Sequence, residues 1–424
     1  MLFIYRFLTF FLFPLFVLLI FLRKIIKKED SNRFKEKIFS SFFSSNRNYN
    51  KKLYWFHAAS IGEVLSIMPL IDELNEKNTN LDFLITTVTL SSSNLINEKL
   101  LEYKNITHRF FPLDSNHLVK KFLDQWMPDI VCFVDSEIWP NFLIEIKKRN
   151  IPLALVNARI TKKTYMRWKK FSSFSKLIFS KFDLCLASSL DSKNNLENLK
   201  AKNIKNFGNL KFCVNNVYKN LDHTNKKELD NYKVWCAANT HEGEEIICLK
   251  THIEVKKEFT NLLTIIIPRH INRVKNIKKI CENLKLKSQI LKDGSQIDSN
   301  IDVLIINSFG VLQKYYDYCD NVFIGKSMIK KLELVGGQNP IEAAKSSCRI
   351  YHGPFIYNFL EIYNLLESYN ITEQVENANE LKKSLIKNLK NKKIIDKIQI
   401  EQLNTYGNKI LKNTVNELNY IIKK

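Results

Sequence analysis

The chain has 424 residues, 45% hydrophobic and 12% aromatic, more than one hydrophobic core ordinarily holds and too apolar for a disordered protein. A formal net charge of +22 fits an anionic membrane surface or a phosphorylated substrate, and it fits equally a set of solvated lysines spread over helix faces. Eight scattered cysteines, with no C-x-x-C pair and no spaced histidine partners, argue against a zinc site and a disulfide framework and suit a reducing compartment.

The first 28 residues differ in kind. Phe7 to Leu22 is an uncharged run broken only by Pro14, preceded by Arg6 and followed by Arg23, Lys24, Lys27 and Lys28. As a helix, a run of this length rises roughly 24 Å, and the residues before it complete a membrane span if Arg6 snorkels to the interface. The basic cluster on its C-terminal side predicts that the rest of the chain is cytoplasmic. No small-residue cleavage site follows, so an uncleaved anchor is expected over 1–28 rather than a signal peptide.

From Lys51 onward, apolar runs alternate with segments of helical period. The runs LYWFHAA (53–59), DFLITTVT (82–89), DIVCFVDSEIW (129–139) and IPLALVNARI (151–160) read as parallel strands with crossover helices between them. They place a first α/β domain at 29–217, with Lys211 at the end of its last strand. The polar stretch 218–233 reads as a linker. A second series, VWCAANT, TIIIPRH, DVLIINS, NVFIGKS and CRIYHGP, places a second α/β domain at 234–424, closing on one or two packing helices. Two doubly wound domains with a cleft between them follow, and ligands in such sheets bind beyond the carboxyl ends of the strands.

Glycine is scarce, with 10 residues, and seven of them lie in polar clusters at strand ends. In HAASIGEV (57–64) a strand runs through Ser60 and Gly62 into a helix whose first turn holds Glu63. A capping carboxylate and a general base both fit that position. In VDSEIWPN (134–141) the carboxylates Asp135 and Glu137 fall on one face at a strand terminus, and FGNLKF (207–212) carries Lys211 towards the same edge. In the second domain IIIPRH (265–270) ends a strand on Pro268 and Arg269, a natural phosphate partner. VGGQNPIEAA (335–344) sets two glycines ahead of a helix start, with Pro340 at its first position and Glu342 two residues on. Walker A, G-x-G-x-x-G and H-E-x-x-H motifs are absent, which disfavours NTPase, dehydrogenase and zinc-peptidase activities. The net charge alone, with no recognition motif behind it, supports no nucleic-acid role.

Ten of these segments, WFHAASIGEV, TTVTLSS, FPLDS, SEIWPNFL, LVNARIT, FGNLKF, AANTHEGEE, IIIPRH, GGQNPIEAA and HGPFIYNF, occur in the order found in the bacterial 3-deoxy-D-manno-octulosonic acid (Kdo) transferases, and the chain resembles that family up to about Leu365. The resemblance implies a GT-B fold of two Rossmann-like domains behind an N-terminal anchor in the inner membrane. It also implies metal-free, inverting transfer, needing no cofactor, from CMP-Kdo to a lipid A precursor such as lipid IVA, in lipopolysaccharide core biosynthesis. By motif, Glu63 would be the catalytic base, with Glu137 and Lys211 stabilising the transition state beside Ser60 and Gly62. Pro268, Arg269, the turn Phe309, Gly310 and Val311, and the segment Asn339, Pro340, Ile341 and Glu342 would line the CMP site. The chain departs from the family pattern at Val311, Asn307 and Asn239 and in the TTVTLSS stretch. A GT-B transferase using a UDP-sugar and a catalytically silent, membrane-tethered binding protein are the rival expectations.

Overall fold

A computed structural model describes residues 1–423 except 46, 100, 101, 215–224, 293, 309 and 392–394. Its contacts divide the chain into two units, Met1–Val214 with Tyr406–Lys424, and Asn215–Thr405.

The first unit is a seven-stranded parallel sheet of β1 (Lys52–His57), β2 (Leu81–Thr87), β3 (Ile106–Phe110), β4 (Ile130–Val134), β5 (Leu153–Ala158), β6 (Leu184–Ala187) and β7 (Ile204–Asn206). Its order is β3-β2-β1-β4-β5-β6-β7, so the winding reverses between β1 and β4. Helices cover both faces of such a sheet, which is why β4 reads IVCFV with every residue buried. Trp55, Phe122, Phe133 and Phe142 interlock at the centre of this core.

The second unit repeats the architecture with β8 (Lys233–Thr240), β9 (Leu262–Pro268), β10 (Ser288–Leu291), β11 (Val303–Ile306), β12 (Asn321–Ile324), β13 (Arg349–His352) and β14 (Thr372–Gln374). The order is β10-β11-β9-β8-β12-β13-β14, all parallel, and here the winding reverses between β8 and β12. Two doubly wound parallel-sheet units of this kind are the GT-B class of α/β architecture expected from the sequence.

Several local expectations are revised. Asp135 and Glu137 do not share a strand face: β4 stops at Val134, and Asp135 enters the left-handed region at φ 60° to begin a turn. Lys211 is not on a strand either, because β7 is three residues long and Lys211 sits in the 3-10 turn Leu210–Cys213 that follows. Pro340 occupies the N-cap of the short helix Ile341–Lys345, one place earlier than expected. The expected linker 218–233 lies outside the described residues up to 224, and its remainder holds the helical turn Lys226–Leu229 and the first residue of β8. At the other end, the helix Lys397–Lys423 passes into the first unit from Tyr406 on, rather than staying with the second. There Tyr406 stacks edge-on to Phe212 with ring centroids 5.2 Å apart, and Glu417 binds Lys205 at 2.6 Å.

The N-terminal segment forms two helices, Leu2–Phe11 and Phe13–Ile25, bent by 51°. Pro14 explains the break: its ring removes an N–H and clashes with the preceding turn. Among the described residues no single helix is long and apolar enough to cross a membrane, although the bent pair is so in combination. Arg6 does not reach outward. Its guanidinium donates to Glu145 at 3.0 Å and to Asn141 at 3.3 Å, while the Tyr5 hydroxyl donates to Asp114 at 2.7 Å. Asp114 in turn accepts from the N–H groups of Asn141 and Phe142 at the start of the helix Pro140–Lys148. The first helix is thereby pinned to the element that follows Glu137, with Phe3, Phe10 and Phe11 exposed along it.

Candidate functional site

The sequence-predicted residues fall into two groups, one at the carboxyl edge of each sheet. In the first unit they gather at the β1/β4 reversal, where the diverging crossovers leave a crevice in any doubly wound sheet.

Ser60 caps the helix Ile61–Lys77 that follows β1, and its hydroxyl accepts from the Glu63 N–H at 3.4 Å. Glu63 reciprocates. Its Oε2 accepts from the Ala59 N–H at 2.8 Å and its Oε1 from the Ser60 hydroxyl at 2.7 Å. The carboxylate therefore does the work of a cap. Burial nonetheless pushes its pKa up to about 7, with the charges of Asp135 and Glu137 adding to the rise and the Ser60 and Ala59 hydrogen bonds opposing it. A carboxyl held near neutrality while keeping lone pairs is equipped for proton transfer as well as capping.

Glu137 has the opposite bias. Burial pushes its carboxyl up, but the His57 ring, whose Nε2 lies 3.3 Å away, and the Trp139 indole N–H at 2.7 Å outweigh that and hold it below the usual range. Asp135 is raised by burial and by Glu137, with Arg159 and Lys211 pulling the other way. Lys211 is placed by two asparagines: Asn209 accepts from its N–H at 3.0 Å, and Asn157, at φ 52° in the bulge of β5, accepts from Leu210 at 2.9 Å. The Lys211 ammonium comes to lie 4.0 Å from where a Gly62 side chain would begin. Gly62 thus keeps the space between the helix start and that cation open to a ligand. Three acids of divergent basicity and two cations, Lys211 and Arg159, converge on this crevice.

Of these, sequence reading found Ser60, Gly62, Glu63, Asp135, Glu137 and Lys211. It missed His57, Trp139, Asn157 and Arg159, although His57 and Trp139 stand inside the very segments that carried the expectation. A cavity of 860 Å³ lined by Lys147, Lys181, Asp183, Lys205 and Glu417 opens at the amino edge of the same sheet and contains none of them.

In the second unit Pro268 is the buried last residue of β9 and Arg269 follows it into solvent, its N–H donating to the Thr240 carbonyl at 3.1 Å. Burial, with the positive charges of Lys326, His270, Arg269 and Arg273 around it, lowers the His241 pKa to about 4. His241 and His270 meet edge to face, with centroids 5.6 Å apart. Arg273, absent from the sequence reading, is held by Glu245 through two bonds of 3.3 and 3.1 Å. Gly310 and Val311 follow β11, which neighbours β9, and Val311 caps the helix Leu312–Tyr316; Phe309 lies outside the described residues. Asn339 accepts from the Ile341 N–H at 3.3 Å, Ile341 is buried and Glu342 is exposed. The glycine pair before them serves packing, since a side chain on Gly336 would meet the Phe355 carbonyl at 2.1 Å.

The fully buried Glu244 organises this edge. Its carboxylate accepts the N–H groups of His241, Lys326, Ser327 and Met328 at 2.7 to 3.0 Å, tying the end of β8 to the loop after β12. Among the described residues no group of three or more His, Cys, Asp or Glu side chains is placed to hold a metal ion.

Two doubly wound parallel-sheet units, with an acid-rich crevice in one and a cationic strand edge in the other, place the chain in the GT-B class of α/β proteins. The solved structures agree on the fold: a putative UDP-N-acetylglucosamine 2-epimerase from Listeria monocytogenes superposes with a TM-score of 0.59 at 15% identity, covering 86% of this chain and 94% of that one. The family model described as 3-deoxy-D-manno-octulosonic-acid transferase (kdotransferase) matches residues 32–214. The 3-deoxy-D-manno-octulosonic acid transferase of Rickettsia bellii is 32% identical over 380 residues, 89% of this chain and 88% of its own, and that of Haemophilus influenzae is 27% identical over 312 residues, 72% of each. The chain belongs to the Kdo transferases.

Replacing Glu244 with Ala removes the acceptor of four N–H groups at once. At about 1 to 3 kcal/mol for each donor left buried and unpaired, the second unit should lose at least about 3 kcal/mol of stability. Amide hydrogen exchange at Lys326–Met328 should accelerate in step, and unchanged protection there would show that other acceptors hold the loop.

Proposed function

We propose that the chain transfers Kdo from CMP-Kdo to a lipid A precursor, lipid IVA or a close relative, at the cytoplasmic face of a bacterial inner membrane. The observation that carries this reading is Glu63, a carboxyl near neutrality with Glu137 and Lys211 beside it, in a chain of Kdo transferase ancestry. The exposed apolar helix pair and the basic residues after it support attachment to the membrane that holds such an acceptor.

In this reading Glu63 takes the proton from the acceptor hydroxyl as that oxygen bonds to the anomeric carbon of Kdo. The bond from that carbon to the CMP phosphate breaks, and its electron pair leaves with CMP, a phosphate monoester and a competent leaving group. Inversion follows from attack opposite the departing phosphate. Positive charge grows on the sugar ring in the transition state, and the ionised Glu137 answers it. Lys211 offsets the negative charge of the Kdo carboxylate or the departing phosphate. Ser60 and Gly62 shape the approach to Glu63. In the second unit Pro268, Arg269, Gly310 and Val311, and Asn339, Pro340, Ile341 and Glu342 line the CMP site, with Arg269 on the phosphate and Glu342 on the ribose. The helix after Pro340 has only five residues and Asn339 already occupies one of its N–H groups, so Arg269 is the stronger phosphate ligand.

General bases contribute on the order of 10² to 10⁴ in rate, so Glu63→Gln should lose at least about two orders of magnitude in turnover while CMP affinity stays the same. In the wild type, turnover should fall as the pH drops through about 7, where Glu63 takes up its proton, and the variant should lose that limb. Near-normal turnover in Glu63→Gln would leave the carboxylate only its capping role. For the donor site, a charge-assisted bond to phosphate is worth roughly 1.5 to 3 kcal/mol. Arg269→Ala should accordingly weaken CMP binding about tenfold to a hundredfold by calorimetry, and unchanged affinity would remove Arg269 from the site.

A further inference from the structure

We propose that His57 is the positioning residue for Glu137, its buried Nε2 standing 3.3 Å from the Glu137 carboxylate and holding that side chain in place. The inference rests on the Kdo-transfer reading only for what Glu137 then does in catalysis.

His57 is the last residue of β1 and has no exposed surface. Its ring lies flat on Phe111, with centroids 3.7 Å apart and planes 19° from parallel, and the edge of Phe133 closes the other direction at 5.6 Å. Its Nδ1 is satisfied by Thr86 on β2, 3.0 Å from the hydroxyl and 3.1 Å from the carbonyl. The hydroxyl can give or take a proton and the carbonyl can only take one, so Thr86 accommodates Nδ1 in any protonation state. Nε2 is different. It is buried and makes no hydrogen bond to the described residues, and Oε2 of Glu137 stands 3.3 Å from it.

A bare nitrogen lone pair against a carboxylate oxygen in a closed apolar setting would repel it, and a proton on Nε2 turns the same contact into a bond. The Trp139 indole N–H donates to the same oxygen at 2.7 Å, so two rigid rings adjoin one carboxylate oxygen. Glu137 itself keeps 19% of its side-chain surface open, enough to face a ligand. The other charged groups at this edge are Glu63 and Asp135, which both disfavour another anion, and Lys211 and Arg159, which favour one. Of the set, Trp139 is hydrogen-bonded to Glu137 and His57 stands in close contact with it.

Two replacements separate positioning from mere filling of space. His57→Phe keeps an aromatic ring on Phe111 but has no proton to give, whereas His57→Gln loses the stack but keeps an amide N–H within reach of Glu137. If His57 positions Glu137, turnover in the Phe variant falls on the order of tenfold to a hundredfold with unchanged CMP affinity, and the Gln variant is the more active of the two. Carboxyl-carbon NMR of the full chain in detergent, with Glu137 assigned through Glu137→Gln, should show Glu137 titrating below an ordinary glutamate in the wild type. In His57→Phe it should titrate above one, because burial is then less opposed. A Phe variant equal to wild type in turnover, or a wild-type Glu137 that titrates like an exposed glutamate, would overturn the proposal. The wild-type titration needs neither substrate nor a folded His57 variant, so it decides even if the Phe variant does not fold. A wild type that fails to transfer Kdo would count against the proposed function and leave the pairing standing on its titration.

Discussion

Three carboxylates share the crevice beyond β1 and β4, and the first unit is built around making that arrangement tolerable. Partly buried acids repel each other and resent the loss of water, so left alone each would take up a proton. The fold sorts them instead. Glu137 is held anionic by the Trp139 N–H and the His57 ring beside it, Asp135 is balanced by Arg159 and Lys211, and Glu63 absorbs the residual strain as a pKa near 7. Groups pushed apart in this way are what proton transfer beside a stabilised cation requires. The same amino-acid run supplies local stability, since Glu63 and Ser60 cap the helix they begin. Capping therefore leaves the Glu63 carboxylate free to serve in proton transfer as well, so the two uses posed by the sequence are compatible.

The second unit solves the converse problem, concentrating positive charge at a strand edge without collapsing it onto nearby acids. Glu244 and Glu245 are both fully buried, yet neither neutralises the exposed Arg269. Glu244 is committed to four backbone N–H groups, and Glu245 to Arg273 and Thr240. Arg269, His270 and Lys326 then surround His241, whose burial in their field keeps its ring neutral. An anion is the natural complement of such an edge. It lies at the β8/β12 reversal as the acid crevice lies at β1/β4, so both groups follow from one topological rule applied twice.

Much of this was legible in the sequence because parallel strands buried on both faces write themselves as apolar runs. IVCFV, LLTIIIP and VLII are such runs, and each ends at a cluster that proved to sit on the carboxyl edge. The edge strands SQIL, IKN and TEQ were not legible: three or four residues at the border of a sheet carry no periodic signal. Lys211 was assigned to a strand because FGNLKF reads as one, whereas its place depends on Asn157, more than fifty residues earlier, whose left-handed backbone breaks the register of β5. His57 passed unremarked for the same kind of reason. A histidine at the end of an apolar strand looks like core until Thr86, Phe111 and Glu137 are seen around it. The return of the last helix to the first unit, through Tyr406 and Glu417, is likewise a long-range contact with no local signature.

The apolar N-terminal helices supply a further constraint, since Tyr5 and Arg6 pin the first of them to the element that begins just after Glu137. That element follows β4, at the edge of the crevice beyond β1 and β4. The central claim is that this crevice works on Kdo, and the most direct measurement is a mass-resolved transfer assay with the purified full-length chain. CMP-Kdo and a panel of UDP-sugars would be offered with a tetra-acylated lipid A precursor in mixed micelles. The account predicts product heavier by one or more Kdo residues with CMP-Kdo alone. Transfer from a UDP-sugar, or no transfer from CMP-Kdo by folded protein that binds CMP, would contradict it.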